Sequence, residues 1–313
     1  MTKRWTDFIK RPNVIGYVAR TDRYGTTKLV DSANEILLYA LKRSTENPEI
    51  LPDQIYDEYI STRYGEKALE PIKKAFEKAY DIVLSSMYIL GTNAAKHSSM
   101  DYDPYSSSYD RHVSGRWLEP PVVFVEHGIN KEFHYWKDIV NHIAPARFKT
   151  KDSRLGLEAR YVIDRNWVTP IELMDSLYLS YIITEKRYGV SLANEALADI
   201  ERAKELLDPS DYKDLYRLFR RTALTAQLYE AVSTAYFGFR IYAKGESYRY
   251  ENLEEQIRSA LNRIDIVTDE MKSMEGEYPL GQWDWLKDAE TALSYKKKIL
   301  TGWKEYNNVK FEQ

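Results

Sequence analysis

The sequence predicts a mainly α protein: a helical, bundle-like domain with one isolated strand near the N-terminus and a long, ordered, aromatic insertion. Three observations carry this. Apolar residues recur at helical spacing from Ala33 to Leu90 and again from Pro170 to Trp303. One short β-rich apolar run, Asn13–Arg20, stands apart from them. The stretch from Lys96 to His142 interrupts the helical pattern and contains all five histidines: His97, His112, His127, His134 and His142. Structureless loops beyond about 12–15 residues are usually functional or disordered. Disorder fits poorly with Tyr102, Tyr105, Tyr109, Trp117, Phe124, Phe133, Tyr135 and Trp136, because disordered segments are poor in aromatics. The insertion therefore reads as a binding surface; the plainer reading is a surface loop pinned by its own aromatics.

In chain order, Val14–Ala19 reads as a strand buried on both faces, ending in the polar turn Arg20-Thr21-Asp22-Arg23-Tyr24-Gly25. A helix is expected from Leu29 to Arg43, with Ala33, Ile36, Leu37, Ala40 and Leu41 as its stripe and Pro48 beyond its end. Asp53 is placed to cap a helix to Tyr64, with Ile55, Tyr56, Tyr59 and Ile60 inward and Gly65 as its stop. A longer helix from Lys67 to Leu90 would bury Leu69, Ile72, Phe76, Ala79, Val83 and Met87. Within the insertion, Pro120-Pro121 excludes helix, Val122–Val125 is the other strand-like run, and Phe133–Ile143 suits a short helix before the charged linker Lys149–Arg154. Thr169-Pro170-Ile171-Glu172 is a capping box opening a helix to Arg187 that Gly189 would stop. Helices Leu192–Leu207, Asp211–Ala243 with Ser210 as cap and Gly245 as stop, Leu253–Met271 and Leu286–Trp303 follow. No fixed-period repeat is present, so the pattern is that of a bundle and not a solenoid.

Composition excludes several classes. The net charge of −3 gives no general pull toward nucleic acid or an anionic membrane. The absence of cysteine removes disulfides and thiolate metal sites. No apolar run approaches the roughly 20 residues of a membrane span, and the N-terminal residues lack a signal peptide's apolar core. A soluble protein of the cytoplasm or periplasm is expected.

Strand Val14–Ala19 has no evident partner, since a lone pair with Val122–Val125 would be marginal. Its sheet is expected to be supplied from elsewhere. The segments Asn34–Pro48 (N-E-I-L-L-Y-A-L-K-R-S-T-E-N-P) and Asp53–Gly65 (D-Q-I-Y-D-E-Y-I-S-T-R-Y-G) bear on this. They resemble the region after the last barrel strand in α-glucuronidase-type glycoside hydrolases and related uncharacterised bacterial glycosidase-like proteins. The resemblance covers Val14 to Leu90; Tyr102-Asp103-Pro104-Tyr105 and Ser114-Gly115-Arg116-Trp117 are similar to the bacterial relatives. It implies that Val14–Ala19 is the final strand of a (β/α)8 barrel whose other strands, with the catalytic carboxylates, lie outside this chain. Residues 1–28 would then end a barrel-type unit, 29–150 form a helical region bearing the insertion, and 151–313 form a C-terminal helical bundle.

Glycoside hydrolysis needs two carboxyl groups at a defined separation. The insertion offers Asp101, Asp103, Asp110, Glu119, Glu126 and Glu132, with nothing in their spacing to select a pair, so no catalytic residue is assigned. The histidine spacings, seven from His127 to His134 and eight from His134 to His142, are not the helical i, i+4 zinc pair; neither metal nor other cofactor is expected. Arg116-Trp117 is the sharpest feature: arginine grips a carboxylate with two parallel hydrogen bonds, and an indole face suits a sugar's apolar face. Its bland counterpart is an Arg–Trp stack that fixes the loop. Arg20, Asp22, Arg23, Tyr24, Arg111 and His112 complete the expected substrate-binding set. Two functions stay open. One is the helical portion of a glycoside hydrolase-like protein, partnered by an acidic saccharide, an upstream barrel and a second copy of the chain. The other is a non-catalytic helical binding or scaffold protein.

Overall fold

A computed structural model of the chain describes residues 10–13, 32–89, 92–93, 95–96, 99–100, 176–243, 251–274 and 282–311. These are mainly helical, as the sequence predicts. The helices are α1 (Glu35–Glu46), α2 (Pro52–Tyr64), α3 (Leu69–Glu77), α4 (Ala79–Met87), α5 (Ser176–Arg202), α6 (Pro209–Ala243), α7 (Leu253–Ser273) and α8 (Gln282–Phe311). Two antiparallel hairpins follow α4: β1 (Tyr88–Ile89) with β2 (Thr92–Asn93), and β3 (Ala95–Lys96) with β4 (Ser99–Met100). The expected strands Val14–Ala19 and Val122–Val125, the helix Phe133–Ile143, the linker Lys149–Arg154, the capping box at Thr169 and the stop at Gly245 lie outside the described residues.

The chain divides into two compact units. The first comprises Met1–Ala79, Ala193–Thr222 and Glu275–Gln282. In it, α1 and α2 are joined by a short turn that Leu51 closes. The Leu51 N–H donates to Gln54 Oε1 at 3.0 Å, so the helix begins at Pro52, and Asp53, the expected cap, lies in its first turn. Gly65 ends α2 with φ +88°, a conformation that favours glycine, as expected of a stop. Ile55, Tyr59 and Ile60 are buried as predicted. The α1 stripe is only half-buried, with Leu37 47% exposed. Ile72, Ala75 and Phe76 of α3 complete the core, Phe76 stacking on Phe219 with ring centroids 6.0 Å apart.

The single helix expected over Lys67–Leu90 is instead a 3-10 turn (Glu66–Ala68), α3 and α4, with a break at Lys78. Ile82, Ser85 and Ser86 are buried, and the predicted Val83 is 47% exposed.

The second unit comprises Tyr80–Leu192, Ala223–Met274 and Trp283–Gln313. Its core gathers Leu179, Ile182 and Ile183 of α5, the apolar face of α6, the α7 stripe, and Ala289, Ala292, Tyr295, Ile299 and Trp303 of α8. All seven predicted α7 positions, Leu253, Ile257, Ala260, Leu261, Ile264, Val267 and Met271, are buried. Trp303 stacks on Phe239 and Tyr242 at 5.9 and 4.8 Å, with the Arg258 guanidinium over its ring.

Helix α5 corrects another expectation. It runs unbroken through Gly189, where a stop is predicted, to Arg202. A Cβ on Gly189 would meet Ser86 Oγ at 3.0 Å and Ser85 Cβ at 3.1 Å, so the glycine admits a close approach of α4. Downstream, α6 starts at Pro209, with the Asp208 carbonyl accepting the Tyr212 N–H at 3.0 Å; Ser210, the expected cap, lies inside the helix. Helix α8 extends beyond Leu286–Trp303 at both ends.

Candidate functional site

Arg20, Asp22, Arg23, Tyr24, Arg111, His112, Arg116 and Trp117 lie outside the described residues, as do all five histidines and the six carboxylates of the insertion. The described residues carry their polar chemistry elsewhere, in helix-to-helix clusters within each unit.

In the first unit, Glu58 of α2 accepts from Arg43 Nε at 2.7 Å, from Arg43 Nη2 at 3.1 Å and from the Tyr39 hydroxyl at 3.1 Å. The Arg43 hydrogen bonds hold the Glu58 carboxyl below the usual carboxylate range. These three residues belong to the segments Asn34–Pro48 and Asp53–Gly65. The fold brings them together as a clip between α1 and α2. Farther along, Arg63 grips Asp211 with two parallel hydrogen bonds of 2.9 and 2.8 Å. Beside it, burial pushes the Tyr59 hydroxyl up to about 12 and raises that of Tyr64. Asp199 accepts from Lys78 at 2.7 Å and from Arg202.

In the second unit, Lys186 is 1% exposed. Its Nζ donates to the carbonyls of Ser85 at 2.7 Å, Ser86 at 3.0 Å and Tyr88, with Glu185 Oε2 3.3 Å away. Burial pulls the Lys186 ammonium below the usual lysine range, while Glu185 opposes that shift. Glu230 of α6 accepts from Arg263 Nη2 through both oxygens, at 2.9 and 2.8 Å, and from Thr234 at 3.3 Å. Asp288 accepts the backbone N–H of Met100 at 2.8 Å. These charged groups escape a sequence reading that looks for exposed loops. One signal was present: Lys186 falls four residues after Ile182 and three after Ile183, on the apolar stripe where a charge needs partners.

A buried charge that meets matched partners at these distances suits the joining of helices. No group of three or more metal-ligating side chains occurs among the described residues. Among them, too, no helix is long and apolar enough to cross a membrane. No family model, curated protein or solved structure matches the chain.

Proposed function

We propose that the chain is the helical portion of a glycoside hydrolase-like, carbohydrate-active protein, bordering a sugar site without holding a complete catalytic set. The reading rests on the resemblance of Asn34–Pro48 and Asp53–Gly65, two segments whose Tyr39, Arg43 and Glu58 clip α1 to α2. The carboxylates Glu58, Asp199, Asp211 and Glu230 are each engaged by a lysine or arginine. A glycosidase needs instead a carboxyl pair facing its substrate. On this reading an upstream barrel supplies the catalytic pair. Arg20, Asp22, Arg23, Tyr24, Arg111, His112, Arg116 and Trp117 contact an acidic saccharide, and a homodimer is a further expected association.

Assay of the isolated chain against aryl glycosides and uronate-containing oligosaccharides is expected to show no turnover above buffer. Titration with the same acidic oligosaccharides is expected to show weak binding that Arg116→Ala reduces without lowering the melting temperature. Turnover abolished by changing a carboxylate of this chain overturns the non-catalytic part of the proposal. A lower melting temperature for Arg116→Ala with an unaltered titration overturns the sugar-binding part.

A further inference from the structure

In the second unit, the buried carboxylate of Glu230 has two arginines beside it, and only one of them is bonded to it. Arg263 of α7 donates through Nη2 to both oxygens, at 2.9 and 2.8 Å, and through Nη1 to Ser259 Oγ at 3.3 Å. Arg187 of α5 brings Nε to 3.8 Å from Glu230 Oε1, beyond hydrogen-bond reach, and its side chain is 61% exposed. Asp199 of the first unit shows the contrast, because it takes hydrogen bonds from both of its cations, Lys78 and Arg202. Two guanidinium groups around one carboxylate leave a surplus of one positive charge. Nothing nearby on the three helices offsets it: no residue three or four positions from Arg187, Arg263 or Glu230 carries a charge. Exposed Arg258, by comparison, has Glu254 one turn earlier and donates to it at 3.1 and 2.8 Å.

We propose that Arg187 and Arg263 form an oxyanion-binding site between α5 and α7, in which a phosphate or carboxylate group of a small molecule takes a hydrogen bond from each guanidinium. Glu230 and Ser259 hold Arg263 in place, so half of the site is set before the ligand arrives. Arg187 keeps its planar fork of donors for the ligand, and such charge-assisted bonds are short and directional. Glu230 anchors the pair from beneath and is not itself a ligand group. The proposal is independent of the family resemblance and of the expected residues around Arg116.

Titration calorimetry of the chain with inorganic phosphate and, separately, with glucuronate tests it, at an ionic strength held constant with sodium chloride. At least one of the two is expected to bind saturably. Phosphate alone identifies a phosphoryl ligand, glucuronate alone a carboxylate, and both together a site that accepts either oxyanion. Arg187→Gln removes an exposed side chain that holds no hydrogen bond among the described residues, so its melting temperature is expected to stay close to that of the unaltered protein. Its affinity for the bound anion is expected to fall by about tenfold or more. Arg258→Gln removes an equally exposed positive charge, 62% against 61%, from a guanidinium already engaged by Glu254, and is expected to leave the affinity unchanged. Heats no different from those of added chloride, for both anions, overturn the site. So does an unaltered affinity in Arg187→Gln. An equal loss in Arg258→Gln also overturns it, because the binding would then follow the overall charge and not this pair of arginines.

Discussion

At the scale of single residues, Tyr59 is the most informative titratable group of the first unit. It is 4% exposed, with the rings of Tyr39 and Tyr64 at 5.4 and 6.2 Å. Burial penalises the phenolate and raises its pKa from 10.0 to about 12. The native state therefore holds that proton where the unfolded chain has begun to lose it. The associated stability is complete below about pH 10 and is lost as the pH rises through about 12. Tyr59→Phe, which cannot ionise, is expected to lose less stability than the unaltered protein across that interval. Denaturant melts at several alkaline pH values check this; equal losses in both would show that Tyr59 is not the group responsible.

At the scale of elements, Gly189 sets two effects of opposite sign against each other. Alanine is preferred over glycine inside a helix by about 1 kcal/mol. The added methyl would meet Ser85 and Ser86 at 3.0–3.1 Å, and overpacking of that kind costs about 1–3 kcal/mol. Gly189→Ala is therefore expected to lower the melting temperature, whereas a gain would mean that α4 can give way. The same residue shows where sequence reading reaches its limit. A helix stop and a close helix crossing both call for a missing Cβ, and only the neighbour decides between them. Periodicity was legible where one broad face meets a core, as in α7, and misleading past the helix break at Lys78, where the predicted Val83 is exposed. Strands of two residues carry no period at all, so β1–β4 could not be foreseen. The buried Lys186 and Asp288 could be suspected from their type, but their partners are backbone groups, which a sequence does not distinguish. The expected binding residues from Arg20 to Trp117 rest on chemistry and resemblance alone.

At the scale of the whole molecule, helices dominate both units, and the β-structure among the described residues is confined to two short ladders. Far-UV circular dichroism is expected to show a predominantly helical spectrum. A β content of roughly a quarter, the ordinary share in globular proteins, would contradict it. The make-up of the first unit also has a consequence for how the protein is made. Arg63 must wait for Asp211, which is 148 residues further along the chain. At translation rates of about 5–20 residues per second, that wait is roughly 7–30 s. Through this interval α2 and α3 emerge without the Ala193–Thr222 segment that completes their unit, and Ile72 and Phe76 stay uncovered by it. Newly made chains are then most open to chaperones, or to one another on a crowded messenger, before residue 222 has left the ribosome.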